Sequence, residues 1–124
     1  MTELETTWET YVASWKSVSV DDTRALFEKS LSPDCVYSDP LTQTRGWDEL
    51  LAYMREFHQQ IPGGHFVTLE FMAHHNRSIA RWEMRDAGDG VLGDGVLGAG
   101  VSYGEYDEHG KLVSMAGFYP TPEG

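Results

Sequence analysis

The hydrophobic pattern of this chain changes its period once, at Pro62-Gly63-Gly64. Ahead of that break apolar residues return every three or four positions; beyond it they alternate with polar ones. A helix presents one face about every 3.6 residues and a strand every second residue, so the break separates a helical half from a stranded half. Helices first and strands afterwards predict an α+β fold, in which a curved antiparallel sheet wraps around three helices packed on one face. At 124 residues the chain makes one domain, 1–124, long enough to bury a core without disulfides or a structural metal.

Leu4, Trp8, Tyr11, Val12 and Trp15 form one stripe, which predicts a first helix, and Thr2 with Glu5 has capping-box spacing. A second helix is expected from about Asp21 to Leu31, with Ser19 and Asp22 as its capping pair and Pro33 as its stop. Cys35 to Ser38 reads as a short strand, and Asp39 is extended because it precedes Pro40. Trp47, Leu50, Leu51, Met54, Phe57, His58 and Ile61 give the third helix. Strands then follow at 66–74, 78–85, 95–106 and 111–119, divided by the turn Asn76-Arg77, the loop 86–90 and the turn 107–110.

The balance of 9 Lys+Arg against 20 Asp+Glu gives a formal charge of −11. Such a chain repels phosphate backbones and anionic lipid, so neither nucleic acid nor membrane is an expected partner. No segment carries a signal-peptide pattern or an apolar run of spanning length. Cys35 is the one cysteine, which excludes an internal disulfide and suits a reducing, cytoplasmic setting. No metal is expected: His58, His65, His74, His75 and His109 lack ligand spacing, and His74 and His75, as strand neighbours, point to opposite faces.

Asp89 to Gly93 and Asp94 to Gly98 are identical copies of Asp-Gly-Val-Leu-Gly. Two copies are too few for a solenoid, and the oxygen spacing of an EF-hand calcium loop is missing. A duplicated pentad that lengthens a hairpin connection is the expected reading.

Several segments, in this order and spacing, carry a resemblance: Tyr11-Val12-Ala13-Ser14-Trp15, Tyr37-Ser38-Asp39-Pro40, Arg45-Gly46-Trp47-Asp48-Glu49-Leu50, Ala80-Arg81-Trp82-Glu83-Met84, and Gly110 to Met115 running into Gly117-Phe118-Tyr119. Across nearly the whole chain they resemble the nuclear transport factor 2-like superfamily, and within it the SnoaL-like branch. That resemblance implies a cone-shaped, strongly bent sheet closed by helices (a cystatin-like roll), an apolar pocket at one end, and a homodimer formed through the sheet. Ketosteroid isomerase, of the same superfamily, carries its general base in an Asp-Pro pair at this place, which falls on Asp39-Pro40. A gapless comparison puts Trp15, with Tyr11 one helical turn earlier, where that enzyme has its oxyanion tyrosine, and Ser102 or Tyr103 where it has its second donor.

The resemblance implies a cofactor-free enzyme that accepts a small hydrophobic carbonyl compound, with Asp39 moving a proton in an isomerisation or aldol-type cyclisation and Tyr11 donating to the developing oxyanion. A carboxylate enclosed by apolar groups is a stronger base, as proton abstraction beside a carbonyl requires. Trp15, Met54, Phe57, His65, Trp82, Tyr103 and Phe118 are the expected substrate-binding residues, His65 also as a proton shuttle. Two rival readings keep the fold and drop the chemistry: a binding module, or a dimerisation domain whose cone is filled by its own side chains. Under either, Asp39 before Pro40 makes an ordinary Asx turn. A lower alternative is an epoxide hydrolase-like enzyme, because Arg81 and Glu83 resemble part of the limonene epoxide hydrolase arrangement. Alternation, however, sets that pair on the face opposite Ala80, Trp82 and Met84.

Overall fold

The computed structural model describes residues 2–86 and 96–121. Its elements run α1 (Glu3–Ser14), α2 (Val20–Ser30), β1 (Leu31–Asp39), β2 (Thr42–Arg45), α3 (Gly46–Gln60), β3 (His65–His74), β4 (Arg77–Arg85), β5 (Val96–Tyr106) and β6 (Leu112–Phe118). The two expected caps form: Thr2 Oγ1 accepts the Glu5 N–H at 3.2 Å, and Ser19 Oγ accepts the Asp22 N–H at 3.0 Å. At α3 no side chain caps from Arg45; instead Glu49 reaches back and accepts the Arg45 N–H at 2.9 Å. The corner from β2 into α3 demands a positive φ, which Gly46 supplies at 82°.

The strands form one sheet in the order β2-β1-β6-β5-β4-β3, curved and unclosed, against which the helices pack. The run β3 to β6 is the expected antiparallel meander, whereas β1 lies parallel to β6, so the sheet is mixed. Parallel pairing between segments so distant in sequence leaves no mark in either local pattern. The sequence pattern assigns no element between Pro40 and α3, yet β2 is a short strand there that folds back on β1, pairing Thr42 with Asp39. Nor does Pro33 stop α2, which ends at Ser30. The proline lies inside β1, where pairing with β6 is interrupted between Leu31 and Val36, a position that tolerates a residue without an N–H.

Phe27, Leu31, Leu50, Met54, Leu112 and Met115 make the centre of the core. Each such side chain contributes roughly 1.5–3 kcal/mol by leaving water. Cys35 lies among them, and burial pushes its thiol up to about 11, so it packs as a small apolar residue. On the other face of the sheet Met72, Ile79, Val101 and Phe118 are exposed. Most of the tandem pentad falls on residues 87–95, outside the described residues. Among the described residues no helix is long and apolar enough to cross a membrane.

Candidate active site

Between the inner face of the sheet and the helices α1 and α3 lies a cavity of about 730 Å³. Its walls follow from the periods of the elements. Trp8, Tyr11 and Trp15 come from one stripe of the first helical segment, and Tyr53 and Phe57 stand one turn apart on α3. Trp82 and Met84 take alternate positions on β4, with Phe66 and Thr68 opposite them on β3. Trp15 packs its ring against Tyr37 at 5.5 Å, Phe57 at 5.5 Å and Phe66 at 5.4 Å, joining the helix and sheet walls.

Asp39 lies at the last position of β1 and faces this space. Its Oδ2 accepts the hydroxyl of Tyr37 at 2.6 Å, two residues back on the same strand face, and that of Tyr53 at 2.9 Å. Its Oδ1 accepts the backbone N–H groups of Leu41 at 2.8 Å and Thr42 at 3.1 Å. The Asx turn and the pocket carboxylate are therefore one arrangement: the turn donors hold one oxygen and so aim the other at the cavity. All four partners donate, an arrangement that suits the ionised carboxylate.

The tyrosines around Asp39 are held as donors. Tyr37 is pushed well above the usual phenol range, first by burial, then by Tyr11 and by its bond to Asp39. Tyr53 and Tyr11 are raised chiefly by burial too, Tyr11 against a smaller opposing influence of the neighbouring Trp15 side chain. Tyr119 adjoins Tyr53 and Asp39 and is raised by burial and then by the Asp39 charge. None of these hydroxyls releases its proton near neutrality, so each can donate to an acceptor but not serve as a base. On the sheet floor Trp82 donates its indole N–H to Ser102 Oγ at 2.9 Å.

Of the residues expected from sequence, Asp39, Tyr11, Trp15, Phe57 and Trp82 line the cavity. Met54, His65, Tyr103 and Phe118 do not. Met54 follows Leu50 on the core stripe of α3, one residue off the Tyr53–Phe57 stripe, and is fully buried. His65 turns back to bond the Gly63 carbonyl at 3.0 Å. On β5 and β6 the inward positions are Ser102 and Gly117, so Tyr103 faces outward and donates to Glu105 at 2.9 Å, and Phe118 is 61% exposed. Tyr37, Tyr53 and Tyr119, which sequence reasoning did not single out, hold or adjoin the carboxylate. The Tyr37-x-Asp39 spacing was the available signal, since it puts both side chains on one strand face.

Arg81 and Glu83 lie on the outer face as alternation required; Arg81 pairs with Glu70 at 3.3 Å, and the epoxide hydrolase-like arrangement does not form in the cavity. His75 leaves the strand with φ at 54°, which brings its Nδ1 to 2.9 Å from that of His74 instead of to the opposite face. Among the described residues no three metal-ligating side chains converge.

A family model described as a SnoaL-like domain matches residues 8–115. A solved structure of a proposed isomerase of the SnoaL-like family from Agrobacterium tumefaciens is similar at 24% identity with a TM-score of 0.84, covering 98% of this chain and 100% of that one. An NTF2-like protein of unknown function from Burkholderia pseudomallei is similar at 17% identity and a TM-score of 0.76, with 99% and 95% covered. A proposed SnoaL-like polyketide cyclase from a Jannaschia species is similar at 13% identity and a TM-score of 0.72, with 94% and 83% covered. Likeness at these identities establishes the fold. No curated protein matches the sequence.

Proposed function

The chain belongs to the SnoaL-like domain family, and from that premise we propose that it is a cofactor-free enzyme that moves a proton on a small hydrophobic carbonyl compound, in an isomerisation or aldol-type cyclisation, with Asp39 as general acid and base. The observation that carries this reading is a carboxylate fixed at the wall of a large aromatic cavity and surrounded by hydroxyls that keep their protons. Asp39 takes the proton beside the carbonyl, Tyr11 donates to the oxygen on which charge develops, and Asp39 returns the proton elsewhere on the carbon frame. Since the four donors fill the lone pairs of Asp39, Tyr53 or Tyr37 has to yield its place to the substrate proton.

That same saturation favours a second reading, in which Asp39 only holds the β1–β2 turn and the cavity binds a hydrophobic ligand without chemistry. Deuterium exchange at the α-carbon of 2-tetralone, followed by proton NMR, separates the two. Under the catalytic reading Asp39→Asn slows exchange by about 10²- to 10⁴-fold, because Asn keeps the turn acceptor and loses the base. Equal exchange in both proteins overturns it, and a wild type that binds the ketone without exchanging it selects the binding reading.

The same proposal includes a homodimer through the outer face of the sheet, where Met72, Ile79, Val101 and Phe118 are exposed. Sedimentation velocity on wild type and Phe118→Glu tests it: a dimer that the charge converts to monomer supports the contact, and a monomeric wild type removes it.

A further inference from the structure

The residues that wall the cavity differ in exposure, and the difference locates its mouth. Trp8, Tyr11 and Trp15 are buried and close the inner end, whereas Leu41, Glu56, Gln60 and Leu97 are exposed and form the rim. Helix α3 runs outward along this wall. Tyr53, whose hydroxyl bonds Asp39 at 2.9 Å, is half-buried; Glu56 and Phe57 follow one turn later, and Gln60 one turn beyond that, where the helix ends. Among the described residues of the rim Glu56 alone is charged, and no ion pair among the described residues engages it. The other charged side chain of the described walls is Asp39, and no Lys, Arg or His is among them. Residues 1, 87–95 and 122–124 hold none of those three types. His58, in the last turn of α3, is engaged with the Trp15 carbonyl. The carbonyl end of α3 carries partial negative charge of its own at the same rim.

We propose that Glu56 is a charge-selecting residue at the mouth: with Asp39 behind it and the carbonyl end of α3 beside it, it admits uncharged hydrophobic compounds and turns away carboxylates and other anions built on the same frame. An entering anion would lose hydration, face two like charges and meet no cation in the described walls. A neutral carbonyl loses less hydration, and the phenols of the walls can donate to it. Glu56 is exposed, so it acts on a ligand before the aromatic walls enclose it. The inference deepens the proposed function and rests on its ligand-binding cavity, though not on the proton transfer: the substrate is a neutral carbonyl compound and not the corresponding acid.

Three naphthalenes of nearly equal size separate charge from polarity: 2-acetylnaphthalene, 2-naphthamide and 2-naphthoate. Each is measured by equilibrium dialysis at neutral pH in about 0.15 M salt, where charges beyond roughly 8 Å are largely screened. Wild type is expected to bind the ketone and the amide, and the naphthoate about tenfold or more weakly than the amide. Glu56→Gln is expected to narrow that gap about three- to tenfold and Glu56→Lys to close it, with the ketone and amide unchanged. Glu28→Gln, which removes an exposed acid of α2 that does not line the cavity, is expected to leave the gap as it is. The proposal is overturned if wild type binds the naphthoate as tightly as the amide, if it binds none of the three, if Glu56→Lys leaves the gap in place, or if Glu28→Gln narrows it as much as Glu56→Gln does. Failure of the catalytic reading, seen as equal deuterium exchange in wild type and Asp39→Asn, leaves these ratios as expected, so the two fail separately.

Discussion

At the scale of single residues, Gly100 and Trp82 determine one another. A methyl group built on Gly100 would lie 2.5 Å from the Phe118 carbonyl oxygen and 2.5 Å from Trp82 Cζ2. The carbonyl belongs to the backbone, so the paired strands β5 and β6 must shift apart there, and the indole must move as well, which strains its bond to Ser102 and its edge contact with Phe66 at 5.1 Å. Gly100→Ala is therefore expected to cost about 1–3 kcal/mol as overpacking. A lower urea midpoint with red-shifted tryptophan emission is the expected record; an unchanged spectrum would contradict this placement of Trp82. The Asx turn at Asp39 was legible in the sequence because Asp before Pro constrains the backbone, and its place at the cavity wall was expected from the family resemblance at Asp39-Pro40. Tyr53 and Tyr119 were not, because an aromatic on an apolar stripe reads the same whether it faces core or cavity, and the partner of its hydroxyl comes from elsewhere in the chain.

At the scale of elements, caps and periods carried most of the information. The three helices, the meander and the inward face of β4 could be read because Ala80, Trp82 and Met84 alternate with Arg81 and Glu83. β5 and β6 lack that contrast. Tyr103 and Phe118 are larger and more aromatic than Ser102 and Gly117, yet they lie outside, since the inward positions of these strands are kept small beneath the cavity and the Trp8 and Trp82 rings. Alternation defines two faces without saying which is wet, and a one-residue slip exchanges them. The helix caps are more direct. Ser19 Oγ accepts the Asp22 N–H, so Ser19→Ala is expected to cost about 1 kcal/mol and lower the thermal midpoint by a few degrees, whereas Ser19→Gly costs a few tenths. Equal losses for both, measured by circular dichroism, would mean that the hydroxyl does not cap α2.

For the whole molecule, the buried phenols and thiol set the alkaline limit. Burial raises Cys35 from 9.0 to about 11 and Tyr106 from 10.0 to about 12, and holds Tyr11, Tyr37 and Tyr53 above their usual range as well. In each case the fold disfavours the charged form, so the unfolded chain gives up its protons first. Stability is then complete below about pH 9 and falls as pH rises through the folded values, because the unfolded state binds fewer protons there. Each such group removes about 1.4 kcal/mol per pH unit across its own window. Several groups with overlapping windows make the decline steep, and the one free thiol begins it. The urea midpoint is expected to hold up to pH 8 and to drop sharply by pH 11, while tyrosinate absorbance at 295 nm develops at higher pH in the native protein than in urea. Coincident native and denatured titration curves would mean that the phenols are open to solvent, which would remove the enclosed hydroxyl shell that keeps Asp39 in place.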